Sequence, residues 1–444
     1  MNVSDSERIA SFLEKQGFVL AKKIEDATLV IFNTCGIKQT AENRAYSFIH
    51  NLRKNNKNIK IVLTGCIAHR EDVQKLLKNK VDLFFSISDF DIFENFFIQN
   101  SFKIINSKLK IRKQNNVADK ENIAYLSINP KHNNTYQALV PIMSGCNNFC
   151  SYCVVPYARG REVSREASEI ISEVKTLVKN GYKHIMLLGQ NVNSYCDSSK
   201  NSSSEALAKE DYNINFFNFS KLLKTIDKIP GKFWISFVSS HPKDFDKNLI
   251  ETIAKCKKVC EWVHLPVQAG NDEVLQRMNR KYTQAHYLKL IKKIRASFKK
   301  HRPDTLYSLS SDIIVGFPGE SKKQFLDSAK VMEKAKFDMV FFGQFSPRPG
   351  TVAWKMKDNV SQKEKARREK FLNEILKKTT SDNNNKYVGK KLEVLVEKES
   401  SGFYFGKTRT MKNLKFPATE KGMVGKFVKV KIIRANIWNL EGIS

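Results

Sequence analysis

Long apolar runs are missing from this chain. None approaches the roughly 20 consecutive apolar residues that a membrane-crossing helix needs, which excludes a helical membrane protein. The first seven residues, Met1-Asn2-Val3-Ser4-Asp5-Ser6-Glu7, hold neither a basic nor an apolar stretch, so no secretory leader is expected there. Cysteine is scarce, with eight in 444 residues. Without a leader, those eight point to metal or redox chemistry in the cytoplasm rather than to disulfides. Acidic residues are few beside basic ones, 45 against 76, leaving a net charge of +31. That excess suits a polyanion and does not tell RNA from DNA. An AT-rich genome, which inflates Lys and Asn, would produce part of the same bias. The remaining composition, 41% hydrophobic and 27% charged, is that of an ordinary globular chain of two or three domains.

What is present is concentrated in one place. Cys146, Cys150 and Cys153 fall within eight positions, spaced Cys-x3-Cys-x2-Cys. A strand-like run, Ala138-Leu139-Val140-Pro141-Ile142-Met143, leads into them, and Gly145 offers the sharp turn that a loop needs. Three thiolates in one loop are a ligand set for an iron–sulfur cluster. A four-iron cluster on three thiolates leaves one iron open to a substrate or cofactor, as catalytic zinc sites leave one position open. No further cysteine follows until Cys196. A structural zinc site and three buried free thiols remain open alternatives at this point.

The chain before the loop alternates helix and strand. Helices are expected at 4–17, 41–52 and 70–78, and strands at 27–34, 59–64 and 81–87. Such alternation makes a parallel sheet, with ligands beyond the carboxyl ends of its strands. Cys35 and Cys66 stand at two such ends, each beside a glycine. They form either a second metal site or two unrelated loop cysteines. Residues 98–134 read as an edge element plus a linker.

After the loop the alternation continues, with helices at 165–180 and 216–228 and strands at 184–188, 233–237, 262–267, 309–315 and 339–342. Six strand–helix units fit a barrel or partial barrel. Polar phrases follow the strands, at the end where barrel enzymes do their chemistry. They include Gly189-Gln190-Asn191, Ser239-Ser240-His241-Pro242 and Gly316-Phe317-Pro318-Gly319-Glu320. Residues 198–211 read as a surface loop. Cys256 and Cys260, four apart on an expected helix, read as core thiols. A basic helix at 361–379 is expected to pack on the barrel. The last stretch turns all-β, with basic and aromatic residues interleaved, as in an OB-like barrel that binds RNA.

Cys-x3-Cys-x2-Cys is the signature of radical S-adenosylmethionine enzymes. The phrase Val154-Val155-Pro156-Tyr157-Ala158-Arg159-Gly160-Arg161-Glu162-Val163-Ser164-Arg165 resembles the methylthiotransferase family in particular. The resemblance runs over essentially the whole chain. It implies an α/β fold in which an N-terminal doubly wound parallel-sheet domain, apparently lacking its first strand, occupies 1–100 and a linker 101–134. A radical SAM partial (β/α)6 barrel follows at 135–360, a helical connector at 361–380 and an all-β TRAM domain at 381–444.

It also implies two [4Fe–4S] clusters. One sits on Cys146, Cys150 and Cys153 and binds S-adenosylmethionine, with Gly189, Gln190, Asn191, Gly316, Gly319 and Glu320 along that cofactor. The other uses Cys35, Cys66 and a first cysteine that the family carries just before a Met-Asn pair. Met1-Asn2 looks like that pair, so a strand and a cysteine are expected upstream. The rival expectation is a genuinely short chain with an impaired second centre.

Residues 187–193, Ser240-His241-Pro242-Lys243-Asp244 and 264–283 resemble the branch that methylthiolates tRNA at C2 of an N6-prenylated adenosine. That C–H is neither acidic nor electrophilic enough for side-chain acid–base chemistry, so a radical cofactor is implied. The implied partners are tRNA and an electron donor such as flavodoxin or ferredoxin, with the chain a monomer away from membranes. Two alternatives are carried forward. One is the sister activities on a ribosomal-protein aspartate or on threonylcarbamoyladenosine. The other is a non-enzymatic RNA-binding protein with zinc.

Overall fold

In a computed structural model of the chain, the structure describes residues 1–36, 39–100, 123–197 and 217–444. The expected surface loop at 198–211 and most of the expected linker lie outside the described residues. Packing divides the chain into two compact units. The first comprises Met1–Asn133, Met143–Ser164 and Ser346–Met356; the second comprises Asn134–Ile142, Arg165–Phe345 and Lys357–Ser444.

The first unit holds a three-stranded parallel sheet in the order β1 (Leu29–Thr34), β2 (Lys60–Gly65), β3 (Leu83–Phe84). The strand expected at 81–87 thus shortens to two residues, because Phe85 and Ile87 turn into the core. Helices α1 (Asn2–Lys15), α2 (Gln39–Asn55), α3 (Glu71–Leu77) and α4 (Phe90–Gln99) complete it. The core is phenylalanine-rich. Phe12 of α1 meets Phe90, Phe93 and Phe97 of α4, and Phe85 stacks on Phe93 at 4.7 Å. Each buried ring contributes about 1.5–3 kcal/mol relative to exposure. Tyr125, Leu126 and Ile128 are buried in the same core, so residues 123–133 pack into this unit.

In the second unit six parallel strands carry the barrel. β4 (Gln137–Pro141), β5 (His184–Leu188) and β6 (Trp234–Phe237) pair in that order; β7 (Trp262–His264), β8 (Ser308–Val315) and β9 (Met339–Gln344) form a second trio. A bridge between Ile235 and Val259 joins the trios. Between the strands run α5 (Ala167–Lys179), α6 (Phe219–Asp227), α7 (Lys247–Lys255), α8 (Asp272–Arg277), α9 (Gln284–His301) and α10 (Lys322–Ala335). Apolar faces turned to the sheet hold them there, as with Ile170, Val174 and Leu177 of α5. Cys256 and Cys260 do not share a helix face. α7 ends at Lys255, and Cys256 caps it in extended backbone. Both are buried free thiols, and Cys260 packs with Trp234 and Leu395.

Helix α11 (Gln362–Asn385) buries Leu372 and Leu376, so the expected basic helix does pack. The chain ends in a closed five-stranded barrel of β10 (Lys391–Ser400), β11 (Phe403–Thr408), β12 (Asn413–Pro417), β13 (Phe427–Ala435) and β14 (Leu440–Ile443). It docks on the amino ends of the parallel strands. Trp234 lies 4.8 Å from Phe427, Arg409 pairs with Glu261 at 2.8 Å, and Ser308 donates to the Thr410 carbonyl at 2.6 Å. Among the described residues no helix is long and apolar enough to cross a membrane.

Candidate active site

The cysteine loop is built on a turn that only glycine tolerates. Gly145 has φ +78°, and a Cβ there would lie 1.9 Å from the Arg161 carbonyl oxygen. That close approach lets Met143–Ser144 pair antiparallel with Val163–Ser164, closing the loop at its base. Cys146 N–H donates to the Gly160 carbonyl at 3.2 Å, and Cys153 N–H to the Cys150 carbonyl at 2.9 Å. The Asn148 amide donates to Cys146 Sγ at 3.5 Å. Burial pushes the Cys146 thiol up, and pushes Cys153 up to about 12, with the Cys150, Cys146 and Cys66 sulfurs adding to it.

Three mutually repelling sulfurs with backbone and amide donors aimed at them fit a cationic metal centre, whose charge removes the repulsion. Among the described residues no three His, Cys, Asp or Glu side chains already stand in metal-holding geometry. The fit therefore rests on the donor chemistry and on the loop.

Cys35 and Cys66 lie at adjoining strand ends, since Thr34 pairs with Gly65 and Cys66 N–H donates to the Thr34 carbonyl at 2.8 Å. The same unit brings the cysteine loop to them: Cys66 clusters with Val154 and Ala158. Arg159, at the end of the short helix Val155–Arg159, pairs with Asp5 of α1 at 2.5 Å and donates to Asn2 at 3.0 Å. The Asn2 amide donates in turn to the Thr34 carbonyl, beside Cys35. On the other side Glu42 accepts from Arg70 at 3.0 Å and Arg348 at 3.3 Å. Sequence reasoning missed Asp5, Arg159, Glu42 and Arg348. Their signal is weak, since charged residues of loops and helix starts are ordinarily solvated.

In the second unit the phrase after β8 is held by α11 and the segment before it. Gly316 has φ +70° and lies against the Lys365 side chain, which is fully buried and bonded to the Phe345 carbonyl at 2.9 Å and Asp358 at 2.6 Å. Glu320 accepts from Gly316 N–H and from Arg368, both at 2.7 Å. Its carboxylate thus braces the loop from α11. Gly319 N–H is taken by Asn359 at 2.8 Å. Gln190 and Asn191, after β5, each keep a buried side-chain oxygen without a hydrogen-bond partner among the described residues. Ser240 Oγ and His241 Nε2, after β6, are in the same state. The His241 ring is held neutral, lowered to about 2 by burial first and then by the Arg280 and Lys243 charges.

Comparison with known proteins bears on this arrangement. A curated protein of Clostridium botulinum named tRNA-2-methylthio-N(6)-dimethylallyladenosine synthase is 39% identical over 451 residues, spanning 100% of this chain and 94% of its own length. The chain belongs to the tRNA-2-methylthio-N(6)-dimethylallyladenosine synthase family. A synthase of the same name from Thermoanaerobacter pseudethanolicus is 38% identical, over 100% of this chain and 90% of that one. Within the synthase family's length, residues 140–332 match the radical SAM superfamily, 1–86 the uncharacterized protein family UPF0004, and 385–443 the TRAM domain. Among solved structures, a radical S-adenosylmethionine methyltransferase from Kitasatospora setae aligns with a TM-score of 0.49 and 13% identity, over 78% of this chain and 66% of that one. That likeness is too distant to bear on function.

Proposed function

We propose that this chain adds a methylthio group to C2 of the N6-(dimethylallyl)adenosine beside a tRNA anticodon. The observation that carries the reading is the three-thiol loop, closed by Gly145, in a chain that matches curated synthases over its whole length. Cys146, Cys150 and Cys153 hold a [4Fe–4S] cluster, the group that membership of the radical SAM superfamily implies together with S-adenosylmethionine. When bound, that pair supplies the one-electron chemistry that an unactivated aromatic C–H demands.

The chain's own residues do the rest. Asn148 donates to a ligating sulfur, the kind of outer contact that tunes a cluster. Gly189, Gln190 and Asn191 offer acceptors to the cofactor. Gly316 and Gly319 let backbone approach it, and Glu320 holds their loop rigid from α11. Cys35 and Cys66 supply two thiolates to a second centre, fewer than a cubane cluster takes, and they are assigned here as part of its ligand set. The terminal barrel, with Lys415 over the Phe403 ring and Lys398 over Phe405, offers RNA both charge and stacking surfaces. With the reading go a cytoplasmic location, a monomeric enzyme and an electron donor such as flavodoxin or ferredoxin.

The test is anaerobic reconstitution followed by incubation with prenylated tRNA, S-adenosylmethionine and a reductant. The expected products are 5′-deoxyadenosine, S-adenosylhomocysteine and tRNA heavier by one methylthio group. Modification of a ribosomal-protein aspartate with tRNA left unchanged would overturn the reading, as would zinc in place of iron in protein purified without air.

A further inference from the structure

Four neighbouring polar side chains at the carboxyl ends of β5 and β6 hold atoms with no hydrogen-bond partner among the described residues: Gln190 Oε1, Asn191 Oδ1, Ser240 Oγ and His241 Nε2. Asn191, Ser240 and His241 are 2%, 3% and 4% exposed, so bulk water does not reach them. Buried polar atoms left alone are rare, and each one calls for a reason. Here the two loops that carry them are locked to each other. The Asn193 amide donates to the His241 carbonyl and accepts from the His241 N–H, both at 2.8 Å. Val192 N–H donates to the Ser239 carbonyl, and Ser239 itself sits at φ +67°, a conformation that costs a non-glycine residue energy.

The hydrogen-bonding sense of two of these groups is fixed. Asn191 Nδ2 donates to Asp244 at 2.8 Å, which leaves its Oδ1 as a pure acceptor. His241 Nδ1 accepts from the Lys243 N–H at 3.1 Å, so the neutral ring carries its proton on Nε2, a pure donor. Ser240 can serve as either. The face therefore offers neutral donors beside neutral acceptors. A carboxylate or phosphate would find no free charge among these four groups, and burying one there without a partner would be costly. An adenine edge, with a ring nitrogen beside an exocyclic N–H, fits the pattern.

We propose that Ser240 and His241 complete, with Gln190 and Asn191, a face that binds the edge of an adenine ring. The inference rests on the function proposed above, in which two reactants carry that ring: S-adenosylmethionine and the tRNA nucleoside.

The test uses the anaerobically reconstituted full chain and equilibrium dialysis with two probes. One is S-adenosylmethionine; the other is an anticodon stem–loop RNA bearing N6-dimethylallyladenosine. Ser240→Ala removes the hydroxyl. His241→Asn keeps an acceptor for the Lys243 N–H, since Asn is a good cap, but withdraws the Nε2 donor. Each variant is expected to weaken one of the two probes about tenfold, the loss of one ligand hydrogen bond, and the affected probe identifies which adenine is held. Should His241→Asn fail to fold, Ser240→Ala carries the test.

If both variants bind both probes as the wild type does, His241 merely caps its turn and packs against Tyr282, and the inference is overturned while the function stands. If the wild type binds neither probe, the functional reading falls first and this inference with it.

Discussion

Arg159 and Asp5 tie the cysteine loop to the first helix of the chain, and the tie can be weighed. Their charged groups are 2.5 Å apart, with side chains only 3% and 1% exposed. Arg159→Met keeps most of the stem's volume and removes the charge. Asp5 then loses its buried guanidinium partner and keeps the Tyr125 hydroxyl at 3.3 Å and the nearby charge of the Met1 amino group. Stranding a buried charge in this way costs about 3–5 kcal/mol. Adding Asp5→Asn removes the stranded charge while keeping a group that Tyr125 can bond. The double variant should therefore recover roughly 2 kcal/mol of the loss.

For a folding unit of this size each kcal/mol moves Tm by about 2–4 °C, so the single variant should melt roughly 6–20 °C lower. Hydrogen exchange followed peptide by peptide is the matching local assay. Protection should fall in Met1–Asn133 and Met143–Ser164, the first unit's segments, and hold in β5 to β9. A double variant no more stable than Arg159→Met alone would refute the reasoning, because it would mean that the stranded Asp5 charge was never the cost.

Three further outcomes are expected. Gly145→Ala places a Cβ against the Arg161 carbonyl, so iron bound after reconstitution should drop to the level of a variant with Cys146, Cys150 and Cys153 all changed to Ala. Full iron retention would show that the turn is not required. Glu320→Gln removes one of the two carboxylates on Arg368, leaving Glu364 at 2.8 Å, and should cost about 1.5–3 kcal/mol, the worth of a hydrogen bond to a charged group; the Tm should fall equally with and without S-adenosylmethionine, whereas a pure cofactor ligand would lower it only when the cofactor is present. His184 is buried between Gln137 and Ser236, and burial, with a lesser push from Lys407, lowers it to about 4. A histidine depressed below its unfolded value of about 6.5 gives stability that is full above that pH and lost as pH falls toward 4, up to roughly 3 kcal/mol. Urea midpoints at pH 7.5 and 5 should therefore differ less in His184→Gln than in the wild type.

The strands and their order of use were legible because apolar runs ending in polar, glycine-bearing phrases are a local signal, and Gly145 and Gly316 announce the turns they make. Packing partners were not legible. Nothing near Val154 says that it lies against Cys66, and nothing in the run of basic residues in α11 separates Lys365 and Arg368, which are buried, from Arg367, which is half exposed at 50%. Periodicity misled at Cys256 and Cys260, because the helix expected to carry both stops at Lys255, before either. The cysteine loop lies between barrel strands in sequence, yet it packs in the first unit, through Arg159 on α1 and through Val154 and Ala158 on Cys66. A chimaera exchanging residues 1–133 alone would therefore leave Arg159 facing a foreign helix.

The terminal barrel's seat has a mechanical consequence for the RNA. It grips the amino ends of the parallel strands, whereas the phrases assigned to cofactor and substrate lie at the carboxyl ends. β8 has eight residues, about 26 Å of strand, and α11, with 24 residues, runs about 36 Å from the Gly316 loop to the Asn436 and Ile437 carbonyls of that barrel. A nucleic acid touched at both poles must reach around the side of the second unit. A stem–loop cut short can satisfy one pole alone, so shortening the RNA should raise KM well before it lowers kcat.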